Sequence, residues 1–304
     1  MNINYKKGIV LAFITAVISG FSIFYNKFAV IGGMDSTVFN IIKNGGVAII
    51  FSGIIIFSKN RNRFKNLTKK DWIKLLLIGI IGGSIPFILF FEGLKLIPAA
   101  SANILQKTLF IWIALLAIPI LKEKLNFLQI IGYLLIIYAN FFLGGFQGFS
   151  TSIGTWLILT ATIFWAIENV IAKITLKNID PLLVGWARMT FGVLVMILFA
   201  LSQNKLGQFS LLTPAKVMPI LISILFLTGY VLTWYKALKN ASATLVSSIL
   251  VFATSITTIL SSLFITHTFP NSGFVTAFLL LLGILVISIF SSKNITVSGR
   301  PISI

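Results

Sequence analysis

The chain has no cysteine, one histidine and six acidic side chains among 304 residues. Without cysteine there is no disulfide, no thiol nucleophile and no thiolate metal site. The acids (Asp35, Asp71, Glu92, Glu123, Glu168 and Asp180) are scattered, with no closely spaced pair for general acid and base work. One histidine and dispersed carboxylates make no metal-ligand set. No Gly-rich loop ends in Gly-Lys-Ser/Thr, so no phosphate cradle is indicated. These absences argue against an enzyme, a resident metal and a cofactor. Charge is scarce too: 10% of residues are charged, against about 25% in a soluble domain.

What is present is apolar sequence in blocks of about twenty residues, the length a roughly 30 Å hydrocarbon core demands of a helix. Ten blocks run approximately over 8–30, 36–57, 72–95, 98–121, 126–144, 151–176, 180–203, 217–238, 242–265 and 271–291. Turn and breaker residues separate them, including Gly32-Gly33, Gly144-Gly145, Asp180-Pro181 and Pro270-Asn271. The run from Gly8 is too long for the core of a signal peptide and has no small-residue cleavage site, so it reads as a span. An all-α polytopic membrane protein with ten transmembrane helices is expected.

Lysine and arginine number 24 and the net charge is +18. In a soluble chain such an excess suggests nucleic acid. Here the bases lie between apolar blocks, and seventeen fall on one side of the expected bilayer against four on the other. That asymmetry places both termini in the cytoplasm of a multi-pass protein in the cytoplasmic (inner) membrane, and needs no nucleic-acid partner. The basic 58–74 segment reads as a stop-transfer loop, and the tail after Lys293 as unstructured.

The two halves, 1–148 and 149–304, repeat. Asp35 precedes Lys43 by eight residues, and Asp180 precedes Arg188 by eight. An offset of 144 lays Phe91-Glu92-Gly93-Leu94-Lys95 over Tyr235-Lys236-Ala237-Leu238-Lys239, and Leu121-Lys122-Glu123-Lys124-Leu125 over Ile265-Thr266-His267-Thr268-Phe269. Five helices per half is an odd number, so the halves are expected as two inverted five-helix repeats, an arrangement that in carriers binds solute near the midplane.

The aromatic-rich end of the third block with Gly93-Leu94, the small-residue start of the fourth (Ala99-Ala100-Ser101-Ala102), and Leu121-Lys122-Glu123-Lys124-Leu125 with Gln129 and Gly132 following together resemble the EamA family of the drug/metabolite transporter superfamily. The resemblance covers about residues 8 to 290. In the second half His267 stands where the family more often has Glu. The likeness implies a carrier of small metabolites, including amino acids, with a central cavity lined by helices 1, 3, 4, 6, 8 and 9.

Lys107 is the leading site residue. It lies deep in the fourth block, where a lysine costs about 2.5–3.5 kcal/mol on insertion scales and usually faces a cavity or a partner charge. Asn103, one turn earlier, shares its face. Glu168 is the acid placed deepest in an apolar block, suited to pairing with Lys107, Arg188 or Lys173, or to carrying a coupling proton. Trp165, three residues before Glu168, and Trp112 lie mid-membrane and are candidate cavity walls. Trp72, Trp156 and Trp234 stand at block ends, as an interfacial belt requires. Pro86, after Gly82-Gly83, is expected to kink its helix or free a carbonyl. Glu123, carrying the family pattern at a helix boundary, is assigned to structure and gating. Glu92 and Lys95 make an i, i+3 pair, while Lys43 and Arg188 are expected to snorkel to the interface.

The reading is a secondary-active, alternating-access exporter of an amino acid or related metabolite, monomeric or weakly dimeric, with protons as a candidate coupling ion. The alternatives are a carrier of nucleotide-sugars, flavins or hydrophobic cations, and a non-transporting lipid-binding membrane protein.

Overall fold

A computed structural model describes residues 3–29, 35–58, 64–141, 151–267 and 271–291. The Gly32-Gly33 and Gly144-Gly145 turns, the boundary at 148, Lys59, Arg61, Arg63, Pro270 and everything from Lys293 onward lie outside the described residues.

The described structure is entirely helical. α1 spans Ile3–Ala29 and α2 Ser36–Phe57. α3 (Lys69–Leu77) passes through a single wide turn, Ile78–Gly82, into α4 (Ile85–Leu94). α5 (Ala99–Lys107) and α6 (Leu109–Leu121) are one apolar span broken at Thr108, followed by α7 (Phe127–Phe141). The second half has α8 (Ile153–Thr175), α9 (Pro181–Ser202), α10 (Pro214–Asn240), α11 (Ala243–Leu250), α12 (Ala253–Ser261) and α13 (Asn271–Ser291). Nine spans among the described residues are long and apolar enough to cross a bilayer, and Phe127–Phe141 is a shorter apolar helix. α7 lies in the fifth block of the sequence reading, and its described part is not long enough to join the nine.

Helix starts follow from local chemistry. The Asp35 carboxylate accepts from the Thr37 amide at 2.7 Å, and that of Asp180 accepts from Leu182 at 2.8 Å, so each second helix of a half has an Asp N-cap. Asn126 and Gln129 exchange side-chain and backbone hydrogen bonds of 2.8 and 2.9 Å at the start of α7. Lys122 (φ 56°) ends α6 in the left-handed region, and His267 (φ 51°) ends the span that begins with α11. These caps are 145 residues apart, as are Asp35 and Asp180, whereas the 144 offset relates Pro98 to Ser242, the residues preceding α5 and α11. The repeat slips by one residue along the half.

Packing pairs the halves crosswise. α1 lies on α10 as α8 lies on α4, and α1 on α12 as α8 on α6. α2 packs on its counterpart α9, and α7 on its counterpart α13. Small residues allow the close crossings. A Cβ on Gly132 of α7 would stand 2.8 Å from the Gly283 carbonyl of α13, and one on Gly192 of α9 would stand 2.6 Å from the Gly83 carbonyl.

Helices α1 and α13 begin and end on one face of the bundle: Tyr5 lies beside Ser291 and Ser242. A Cβ on Gly8 would meet Ala241 at 2.8 Å. We call this the terminal face. The distal face carries Asp35, Glu92 and Lys205.

Candidate functional site

Three polar constellations occupy the bundle. The first is built on the break in the fourth span. Asn103, Lys107, Phe110 and Ala114, spaced by four, three and four, share one face across the shallow turn at Thr108 (φ −66°, ψ −8°). Phe110 and Ala114 are buried there, but Asn103 is exposed and Lys107 half-buried. The same face is thus covered toward the terminal face and open toward the distal one. Lys107 has no ion pair or hydrogen bond to another described residue, and neither has the Asn103 amide. Trp112 donates from Nε1 to Thr108 Oγ1 at 3.0 Å, tying its indole to the break.

The second constellation is fully enclosed. Glu168 on α8 is 0% exposed and accepts from the Tyr235 phenol of α10 at 2.6 Å. Its other oxygen, Oε2, is buried without a hydrogen bond. Arg188 on α9 is buried within electrostatic reach of Glu168. It donates from Nε and Nη2 to the Gly82 carbonyl at 3.4 and 3.3 Å. The same carbonyl accepts from Trp165 Nε1 at 3.2 Å. Pro86 explains why this oxygen is available. It stands four residues after Gly82 and has no N–H to offer it. Gly82 must also lack a side chain, since a Cβ there would stand 2.2 Å from Glu168 Cγ.

Glu168 therefore belongs with Tyr235 and Arg188, and it is not within ion-pairing distance of Lys107. Trp165 is packed edge-on against Phe87 at 5.3 Å and tilted against Phe90 at 5.8 Å. Arg188 does not snorkel. It lies seven residues into α9, and a deep carbonyl and a deep carboxylate hold it there. Lys43, its counterpart, instead rests its ammonium 5.0 Å over the Phe39 ring. Trp234 is no belt residue: it is 1% exposed and donates to Asn169 Oδ1 at 3.1 Å. Tyr235 carried no signal in the sequence beyond its place opposite Phe91 in the repeat. The Gly82 carbonyl was legible in part, through the spacing of Gly82-Gly83 and Pro86.

The third constellation grips the link between α10 and α11 at the terminal face. Glu123 accepts from the Ala243 amide at 2.7 Å, and from the amide and hydroxyl of Thr244 at 3.1 and 2.7 Å. Lys173 at the end of α8 donates to the carbonyls of Leu238 and, at 2.6 Å, Ala241. A carboxylate at a helix start and an ammonium at a helix end both suit the backbone dipoles. At the distal face Lys205 bridges Asp35 at 3.2 Å and Glu92 at 3.8 Å, and Lys95 pairs with Glu92 at 2.7 Å. Asp35 feels burial, which opposes its ionisation, but the Thr37 amide and Lys205 outweigh it and hold the carboxyl below its ordinary range. No three His, Asp or Glu side chains among the described residues gather to hold a metal ion.

The sequence profile of the EamA-like transporter family matches residues 6–145 and again 152–289. The chain belongs to that family. The two matched stretches are the two halves, so the EamA-like unit occurs here twice. An uncharacterized transporter of Methanothermobacter thermautotrophicus is 26% identical over 141 residues, which is 44% of this chain and 41% of that protein. The uncharacterized transporter YetK of Bacillus subtilis is 28% identical over 187 residues, 59% of this chain and 57% of that one. The matched stretches thus span about two fifths and somewhat over half of these relatives. A protein of known crystal structure superposes with a TM-score of 0.78 over 95% of this chain and 99% of its own, at 13% identity. That likeness speaks for the fold alone. The chain is thus a member of the EamA-like transporter family, with nine helices among the described residues long and apolar enough to cross a membrane.

Proposed function

We propose that the protein is a secondary-active carrier that moves a small organic solute by alternating access, with an amino acid or related zwitterionic metabolite as cargo and export as the direction. In this reading ten helices cross the cytoplasmic membrane as two inverted five-helix repeats, and both termini are cytoplasmic. The crosswise pairing of α1 with α10 and α8 with α4 supports the inversion, because a two-fold axis in the membrane plane exchanges those contacts. The excess of bases on the terminal side supports the orientation.

One observation carries the cargo assignment. Lys107 is a cation without a partner among the described residues, on a helix face that is sealed below it and open above it. An ammonium at that depth is stabilised by an anion arriving from outside the protein, and Asn103 one turn away adds hydrogen-bonding capacity for a second polar group. A carboxylate with an adjacent ammonium fits a lysine and an amide together. Glu168, with Tyr235 and Arg188, is the buried charge centre at the sealed end, and its unpartnered Oε2 is the place for a coupling proton.

Counterflow in proteoliposomes over a panel of amino acids tests this. Wild type exchanges at least one of them, and Lys107→Ala abolishes the exchange while the protein remains folded. Exchange of none by either sinks the amino-acid reading. The unpartnered acid oxygen of Glu168 favours a hydrophobic cation as the second reading. Loss of cation efflux in Glu168→Gln, with Lys107 dispensable, would select it.

A further inference from the structure

The grip of Glu123 on α11 has no counterpart among the described residues of the other half. In the first half the left-handed cap Lys122 is followed by Glu123, whose carboxylate crosses to the start of the fourth span's counterpart. α11 needs it: Ser242, its N-cap residue, makes no side-chain cap bond. In the second half the corresponding cap is His267, and the chain contains no acid after Asp180. Yet the start of α5, which the pseudo-symmetry sets against the end of α12, likewise has no side-chain cap from its own N-cap residue, Pro98. A donor-rich helix end is therefore gripped on one face of the bundle, with no carboxylate after Asp180 in the second half to grip its partner on the other.

Burial follows the same asymmetry. Ala243 through Ile249 are all buried, so the first two turns of α11 are wrapped on every side. Farther along the span, Ile256 to Ser262 are half-buried or exposed and Leu263 to Ile265 are exposed. The Tyr133 phenol adds a fourth bond to this junction, donating to the Thr244 carbonyl at 3.0 Å. Charge-assisted bonds from a carboxylate to backbone N–H groups are about twice as strong as neutral ones, and here they cross between the two halves.

Resting on the carrier reading above, we propose that Glu123 sets the resting state of the transport cycle: it biases the carrier toward closure at the terminal face and opening at the distal face, because only that closed face has a carboxylate to seal a bare helix start across the repeat boundary. In the exchange of pseudo-symmetric states these bonds break, and the opposite closure replaces them with none of equal kind. Removing the carboxylate shifts the population toward the state open at the terminal face.

The absence of native cysteine makes the test clean. Ser248→Cys places a thiol on α11 at a residue 0% exposed beside the grip, and Ser223→Cys places one at an equally buried residue of α10 nearer the distal end. Each is made alone, and again with Glu123→Gln, in the full-length protein in lipid nanodiscs. Labelling by a water-soluble maleimide is then timed. Without Glu123→Gln both thiols are slow to react. With it, Ser248→Cys reacts at least tenfold faster while Ser223→Cys stays slow. No acceleration at Ser248→Cys, or an equal acceleration at both sites as general loosening would give, overturns the proposal. The labelling needs no solute, so it is decided independently of counterflow.

Discussion

Lys107 and Glu168 present opposite solutions to the problem of a charge within an apolar helix. Glu168 is enclosed and shares its environment with a phenol and a guanidinium, whereas Lys107 has no partner among the described residues where its helix face opens. Both were legible as outliers, because a charged residue in an apolar block needs no structure to be noticed. Their separation was not, since depth along two helices says nothing of rotation about them. Arg188 was misread for the same reason: seven residues into α9 it has the length to snorkel, and only the freed Gly82 carbonyl and Glu168 explain why it does not. Asp35 gives a titration test at this scale. Its carboxyl is held below the ordinary range in the folded protein, so its contribution is present above the unfolded value near pH ~3.9 and is lost as pH falls through the folded value. Asp35→Ala should lower stability by about 1 kcal/mol near neutrality, the usual worth of an N-cap. The deficit should shrink as pH falls below the ordinary carboxylate range and vanish once the folded carboxyl is protonated. Thermal unfolding in detergent across that range checks it, and a deficit independent of pH would refute it.

Broken helices are the telling elements. The fourth span breaks at Thr108 and its counterpart at Val251-Phe252, so the interruption recurs at matched places in both halves. The third span is interrupted differently, by the wide turn Ile78–Gly82 and the Ser84-Pro86 restart. Pro86 made that interruption readable in advance. The break at Thr108 was not readable, since neither Gly nor Pro marks it. Because the wide turn brings Gly82 onto Glu168, Gly82→Ala should act as an overpacking substitution, destabilising by about 1–3 kcal/mol. It should also push Arg188 and Trp165 off the carbonyl. A lowered unfolding midpoint with an altered tryptophan emission spectrum would show both effects, and a variant matching wild type in both would show that the helices can part there freely.

At the scale of the molecule, the halves are interleaved rather than adjoining. α1 rests on α10 and α8 on α4, and α7 meets α13 through facing glycines. The block pattern revealed the order of the spans and nine of the ten it predicts, among the described residues, and the caps at Asp35 and Asp180 revealed the repeat, but which helix touches which depends on shape that no periodicity reports. Residues 1–148 expressed alone should fail to yield a monodisperse protein, as should residues 149–304, and co-expression of the two should restore one. Size-exclusion chromatography in detergent decides this, and a stable isolated half would overturn the interleaved picture.

The three bonds of Glu123 also bear on kinetics. A solute binding a face that is open only part of the time shows an apparent affinity lowered by that fraction. If the terminal face is shut at rest, as proposed, half-saturation measured from the distal side should report nearly the intrinsic affinity, while the value measured from the terminal side should be weakened by the cost of breaking those bonds. A fold with two matching halves would thus acquire unequal entrances, and the inequality would trace to a single carboxylate, Glu123, that has no acidic counterpart after His267.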